Sequence, residues 1–137
     1  MRITAKADYA VRAAAVLAAA GPGPVKGEHI AAAEDIPLRF LHNILSTLTR
    51  AGILSSLRGS EGGYELARPA SLITVADVIR GVEGPFSAGG GVTAAPSGGL
   101  GEVWAALRAS ERAVLESVTL ADLAAGSLPE GIRSRTA

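Results

Sequence analysis

The chain contains no cysteine, so it forms no disulfide and offers neither a thiolate nucleophile nor cysteine ligands for a metal. Aromatic residues are scarce, with two Phe, two Tyr and one Trp among 137 residues. A core must therefore be assembled from Ala, Leu, Ile and Val, which suits closely packed helices, and the expected fold is mainly α. Net charge is also missing, because thirteen Lys and Arg balance thirteen Asp and Glu. Residues 1–68 hold eight basic against six acidic side chains, and residues 69–137 hold five against seven. Any affinity for a polyanion has to come from placed side chains and not from bulk charge. No apolar run approaches the roughly 20 residues of a membrane-spanning helix. The Ala-rich start looks superficially like a secretory signal, but Asp8 and Arg12 interrupt it at i and i+4, where they pair on the outer face of a mature helix. The expected location is cytoplasmic, with no membrane partner. Enzyme motifs are lacking as well: there is no H-E-x-x-H and no Walker glycine loop, and Gly89 to Gly91 follow no strand pattern. At this length the chain is expected to hold one domain, or one compact domain plus an appended helix, and no second catalytic domain.

The residues that are present read first as three helices. Thr4 caps a helix running to about Ala20, with Ala7, Val11, Ala14 and Ala18 as a narrow apolar stripe, and Gly21 to Pro24 stop it. A short second helix from about Lys26 to Glu34 is expected to bury Ile30 and Ala33. A turn at Asp35 and Ile36 follows, Asp being tolerant of the left-handed conformation, and Pro37 enters the first turn of a third helix. There Leu38, Leu41, Leu45 and Leu48 face the core, which leaves Arg39, His42, Asn43, Ser46 and Arg50 together on the opposite face. That outer face is the candidate recognition surface.

Gly52 ends the third helix, and Ile53 to Leu57 with Gly63 to Ala67 form the arms of a β-hairpin. Glycines at 59, 62 and 63 are expected to supply the positive φ angles of the turn, which carries Arg58 into solvent. A helix-turn-helix followed by such a hairpin is a winged helix. A guanidinium on a narrow hairpin fits a DNA minor groove, where negative potential is concentrated. Arg39 suits guanine O6 and N7 or a phosphate, and Asn43 suits adenine N6 and N7 or simple hydration of the face. His42 either hydrogen-bonds a base or phosphate or is a neutral surface residue. Lys6, Lys26 and Arg50 are candidate phosphate contacts, or ordinary solubilising charges.

In the second half, I-T-V-A-D-V-I at 73–79 and V-T-L-A-D-L-A at 118–124 both read as helix starts. Thr74 with Asp77, and Thr119 with Asp122, form capping boxes, while Ile73/Val78 and Val118/Leu123 form hydrophobic staples. Residues 84–101, with seven glycines and two prolines, are expected to be a flexible loop. The helix from about Glu102 to Ser117 places Val103, Leu107, Val114 and Val118 on one side with Trp104 and Leu115 beside them. It has no obvious cover from its own chain, and pairing across a twofold axis is inferred. The organisation is then a winged-helix domain at 1–83, the loop at 84–101, a dimerisation helix with a short C-terminal helix at 102–128, and a disordered tail at 129–137.

In combination and order, the opening M-R-I-T-A-K-A-D-Y-A-V-R-A, the segment P-L-R-F-L-H-N-I-L-S-T-L-T-R-A-G-I-L, the wing R-G-S-E-G-G-Y-E-L-A-R-P, I-T-V-A-D-V-I-R-G-V-E-G-P and V-T-L-A-D-L resemble the Rrf-two family of winged-helix regulators. That family includes IscR-like and NsrR-like iron-sulfur sensors. The resemblance implies a DNA-binding homodimer, with the long helix crossing its mate, the third helix in the major groove and the wing in the minor groove. It makes Arg39, His42 and Asn43 base-facing residues and Arg58 the minor-groove arginine. Sensor members carry three loop cysteines and a fourth ligand at the helix start or near the N-terminus. Here residues 84–101 contain none, and Gly101 stands where the helix-start histidine would be. Asp8 occupies a carboxylate-ligand position of some members, but one carboxylate without thiolates holds no cluster. The expected function is a sequence-specific regulator, a repressor, bound to a palindromic operator as a homodimer with no cofactor. The alternative is a winged-helix protein-interaction module or a regulator controlled by a partner protein or small molecule.

Overall fold

The computed structural model describes residues 3–85 and 98–136. Chain order is α1 (Ala5–Ala20), α2 (Gly27–Glu34), α3 (Leu38–Arg50), β1 (Leu54–Leu57), β2 (Gly63–Leu66), a 3-10 turn at Ala70–Leu72, α4 (Val75–Glu83), α5 (Leu100–Ser117), α6 (Leu120–Ala125) and α7 (Glu130–Thr136). The fold is mainly helical with one two-stranded antiparallel hairpin, a winged helix with a C-terminal helical block.

Helix α1 is the hub, packing against α2, α3, α4, α6 and β2. Its sequence explains why: Ala10, Ala13 and Ala14 are fully buried, and side chains that end at Cβ let that many neighbours approach one helix. The buried set of α1 is Ala7, Ala10, Ala13, Ala14 and Leu17, wider than the expected stripe, in which Val11 and Ala18 are only half-buried. Thr4 caps α1 by accepting from the Ala7 N–H at 3.0 Å, and its hydroxyl donates to Glu83 at the end of α4. Asp8 and Arg12 pair at 2.9 Å as the spacing requires.

Helix α2 buries Gly27 and Ile30, while Ala33 is exposed. Its inward side follows 27, 30 and 31 at i, i+3 and i+4, and Ala33 falls off that line. Asp35 then adopts the left-handed conformation (φ 51°, ψ 51°). In α3 the core side is Leu41, Ile44, Leu45 and Leu48, and Leu38 is 40% exposed. Leu38 is the first residue of the helix, where the turn has no neighbour before it, and Ile44 closes the i, i+3, i+4, i+7 pattern instead.

Helices α4 and α6 start back to back. Thr74 and Thr119 form an antiparallel bridge, with Val75 N–H donating to Val118 O and Leu120 N–H donating to Ile73 O, both at 2.9 Å. Both capping boxes are present, and Ile73, Val78 and Leu120 are fully buried around the seam. The two similar segments thus pair with each other, so that one backbone bridge serves two capped helix starts. The expected loop begins at Gly84, but α5 starts at Leu100, two residues earlier than the spacing suggested; the expectation for residues 86–97 lies outside the described residues. The tail is not disordered across its length, because residues 130–136 form α7. The Pro129 carbonyl accepts from Ile132 and Arg133, and Glu130 in the first turn with Arg133 and Arg135 in the last complement the helix dipole.

Candidate nucleic-acid interface

A recognition surface needs polar side chains held clear of the core by a rigid element. Helix α3 supplies one: with Leu41, Ile44, Leu45 and Leu48 anchored inward, Arg39, Asn43, Ser46 and Arg50 fall at i, i+4, i+7 and i+11 on the outer face. All of them, and His42, are exposed. Arg50 and Thr47 belong to a local network, in which Arg50 Nη2 donates to Thr47 Oγ1 at 3.4 Å and that hydroxyl donates to Asn43 O at 3.0 Å. His42 is less free than its exposure suggests, since its ring lies against the start of α2 at Gly27.

The wing follows from Leu48 and Gly52, where the backbone leaves α3 with φ of +80° and Ile53 N–H donates to Leu48 O at 3.0 Å. Its register pairs Leu54 with Leu66, Ser55 with Glu65, Ser56 with Tyr64 and Leu57 with Gly63. At the tip Gly62 N–H donates to Gly59 O at 3.0 Å, and Arg58 stands in solvent. Positive φ is found at Gly59 (+99°) and Gly63 (+149°), but not at Gly62, where glycine was expected for the same reason. Gly62 is required by crowding instead: a Cβ there would lie 2.1 Å from Leu57 O and 2.8 Å from the Arg58 carbonyl carbon. The bare tip is thus a consequence of the backbone folding onto itself beneath Arg58.

The three lysine and arginine positions proposed for phosphate differ in setting. Lys26 is the exposed N-cap residue of α2, and Lys6 is half-buried on α1 one turn before Tyr9. The Tyr9 ring meets Phe40 of α3 edge-on at 5.7 Å, with the Arg12 guanidinium 5.9 Å from the Tyr9 centroid, so this part of α1 is fastened to the start of α3. Sequence reasoning missed Tyr9 and Phe40; an exposed aromatic at the first turn of α3 was the available signal.

In the C-terminal block, α5 buries no residue in its own chain. Val103, Trp104 and Leu107 are 55%, 37% and 48% exposed, and Val114 and Leu115 are half-buried, whereas Val118, expected on the same face, lies just past the helix end and is buried at the seam of α4 and α6, where its backbone turns extended. The helix is joined to α4 through Arg80, which donates to Asp77 at 2.9 Å and to Glu116 at 3.2 Å. Partial burial pushes the Asp77 carboxyl up, but the Thr74 N–H, the Arg80 guanidinium and the Thr74 hydroxyl together outweigh it and hold it below the usual carboxylate range. The bond to Asp77 is the largest influence on Arg80 and raises its pKa.

The donors needed for an iron-sulfur cluster do not fit this chain. Thiolates are absent from the sequence, residues 84–101 contain no histidine and no carboxylate, and no group of three or more metal-ligating side chains converges among the described residues. Asp8 is already paired with Arg12. Among the described residues no helix is long and apolar enough to cross a membrane.

Comparison with known proteins gives this geometry a context. Residues 3–126 match the Rrf2 family profile, described as an iron-dependent transcriptional regulator. The chain is 49% identical over 139 residues to Rv1287 of Mycobacterium tuberculosis, covering 96% of this chain and 86% of that protein. Among solved structures it is similar to CymR, the global cysteine regulator of B. subtilis, with a TM-score of 0.82 at 32% identity over 91% of this chain and 97% of that one. It is also similar to IscR of T. potens, with a TM-score of 0.77 at 31% identity over 98% of this chain and 96% of that one.

Proposed function

Because the chain belongs to the Rrf2 family of transcriptional regulators, we propose that it represses transcription by binding a palindromic operator as a homodimer, without an iron-sulfur cluster. The single observation that carries this reading is the continuous exposed row Arg39, Asn43, Ser46 and Arg50 on α3, followed directly by a wing whose tip leaves Arg58 bare. The row enters the major groove, where Arg39 reads guanine and Asn43 reads adenine, and His42 flanks them. Arg58 enters the adjacent minor groove, where its charge meets the concentrated negative potential. Lys6, Lys26 and Arg50 contact phosphates and set the position of the domain without reading sequence.

The exposed Val103, Trp104 and Leu107 of α5, continued by Val114 and Leu115, support pairing with the same helix of a second copy. Repression follows from occupancy of the operator, and any control comes from a partner protein or small molecule. The test is selection of duplexes from a random pool, followed by affinity measurements over a range of salt. Log affinity should fall linearly with log salt, and the selected site should be a palindrome with half-site centres about one helical turn, ~34 Å, apart. Substitution of Arg39 or Asn43 by Ala should alter sequence preference, and Arg58→Ala should weaken binding to every site that carries the flanking minor-groove contact. Failure to select any duplex refutes the reading.

A further inference from the structure

Val25 and Lys26, which end the connection from α1, and Gly27, the first residue of α2, form a spacer held between the wing and α3. On the wing side, Val25 and Tyr64 exchange both backbone hydrogen bonds at 2.8 Å. Gly63 comes so near that a Cβ there would stand 2.5 Å from the Val25 carbonyl oxygen and 3.0 Å from the Lys26 nitrogen. Side-chain carbons do not approach backbone that closely, and Gly63 also has φ of +149°, a conformation L side chains rarely adopt. On the other side, Gly27 is buried at the start of α2, and a Cβ there would meet His42 Nε2 at 3.2 Å and Leu45 Cδ1 at 3.6 Å, both on α3. Glycine is a poor helix former, and here it lets the start of α2 lie close to α3. One three-residue spacer is therefore in contact with β2 on one side and α3 on the other.

We propose that Gly63 is a positioning residue for DNA binding: by seating β2 on the Val25–Gly27 spacer, it fixes the wing relative to α3 so that Arg58 and the recognition helix reach their grooves together. The inference rests on the wing and helix reading given above. Gly63 touches no DNA and acts through Arg58. With the seat intact, the second groove contact is made by a part already in place. With it lost, the wing has to be ordered during binding, and that cost is subtracted from affinity. A role in folding alone predicts a lower melting temperature and no relation to Arg58.

The distinguishing measurement is a double-mutant cycle on the whole chain, using a duplex selected by the unaltered protein, with thermal unfolding recorded for each variant. Gly63→Ala is expected to weaken binding roughly tenfold, comparable with loss of one groove contact. In the Arg58→Ala background the same change should cost nothing further, while protection of guanine N7 in the major groove persists in both. Additive losses, or unaltered affinity in a folded Gly63→Ala protein, overturn the proposal. Equal affinity of the unaltered protein and Arg58→Ala overturns instead the wing reading beneath it. Val25→Pro deletes the Val25 N–H without adding bulk at position 63, and it should show the same non-additivity with Arg58→Ala if Gly63→Ala does not fold.

Discussion

Replacing Asp77 by alanine compares two capping boxes that share one seam. Asp122 accepts from the Thr119 N–H at 3.0 Å and stands at the positive end of α6. Losing that reciprocal bond and the favourable charge should cost about 1 kcal/mol in Asp122→Ala. Asp77 makes the equivalent bond to the Thr74 N–H at 2.9 Å and also receives Arg80 at 2.9 Å, with its side chain 26% exposed. An i, i+3 ion pair of that exposure adds about 0.3–0.5 kcal/mol, so Asp77→Ala should cost about 1.5 kcal/mol. The surplus should vanish when both cap variants are made in an Arg80→Ala background. Acid supplies a second readout. The folded-state pKa of Asp77 is lowered, so its contribution is fully present above the unfolded value of about 3.9 and is lost as pH falls through the folded one. Urea unfolding at fixed protein concentration should therefore show the gap between the unaltered protein and Asp77→Ala closing below about pH 4. Equal costs for the two cap variants at neutral pH, or a gap that stays constant into strong acid, would falsify the assignment of the extra stability to the Asp77–Arg80 pair.

Other expectations follow from single positions. Leu120 is fully buried against the seam, and Leu120→Ala should destabilise the fold by about 3 kcal/mol in the same urea titration. Asp35 holds φ of 51° at the end of α2, so Asp35→Val should cost about 1–2 kcal/mol by circular-dichroism melts, whereas Asp35→Gly should cost nothing. Trp104 is 37% exposed on α5, and Trp104→Asp should convert a dimer to a monomer in sedimentation velocity while leaving the far-ultraviolet spectrum of the domain intact.

Features set within about four residues were legible in the sequence. The Thr4 cap, the Asp8–Arg12 pair, the left-handed Asp35 and both capping boxes all hold, because each depends on spacing along one turn and on chemistry that neighbours cannot easily override. The outer face of α3 was legible for a related reason: even with Ile44 and not Leu38 on the core side, the helical period still sends Arg39, Asn43 and Ser46 outward. The α7 helix was not, since seven residues with two arginines, a glycine and two hydroxyl residues carry almost no apolar pattern, and the Pro129 start and charge order are weak signals.

What remained hidden was the close approach of particular backbone segments, and three glycines show why. Gly27 sits in a helix, Gly62 beneath a turn and Gly63 in a strand; judged locally, each is a weak former of its element or merely a provider of positive φ. At Gly62 and Gly63 the requirement is set by backbone that leaves no room for a Cβ, the Leu57 carbonyl and the Val25 carbonyl, while at Gly27 a Cβ would be crowded by the His42 ring. A glycine that local propensity disfavours is thus a mark of close approach, but the sequence does not name the approaching partner. Here two of the three approaches, at Gly27 and Gly63, lie between α3 and the wing. The exposed polar row of α3 and the bare wing tip could be read from the chain, whereas the close approaches that hold helix and wing in relation to one another became visible only once it was folded.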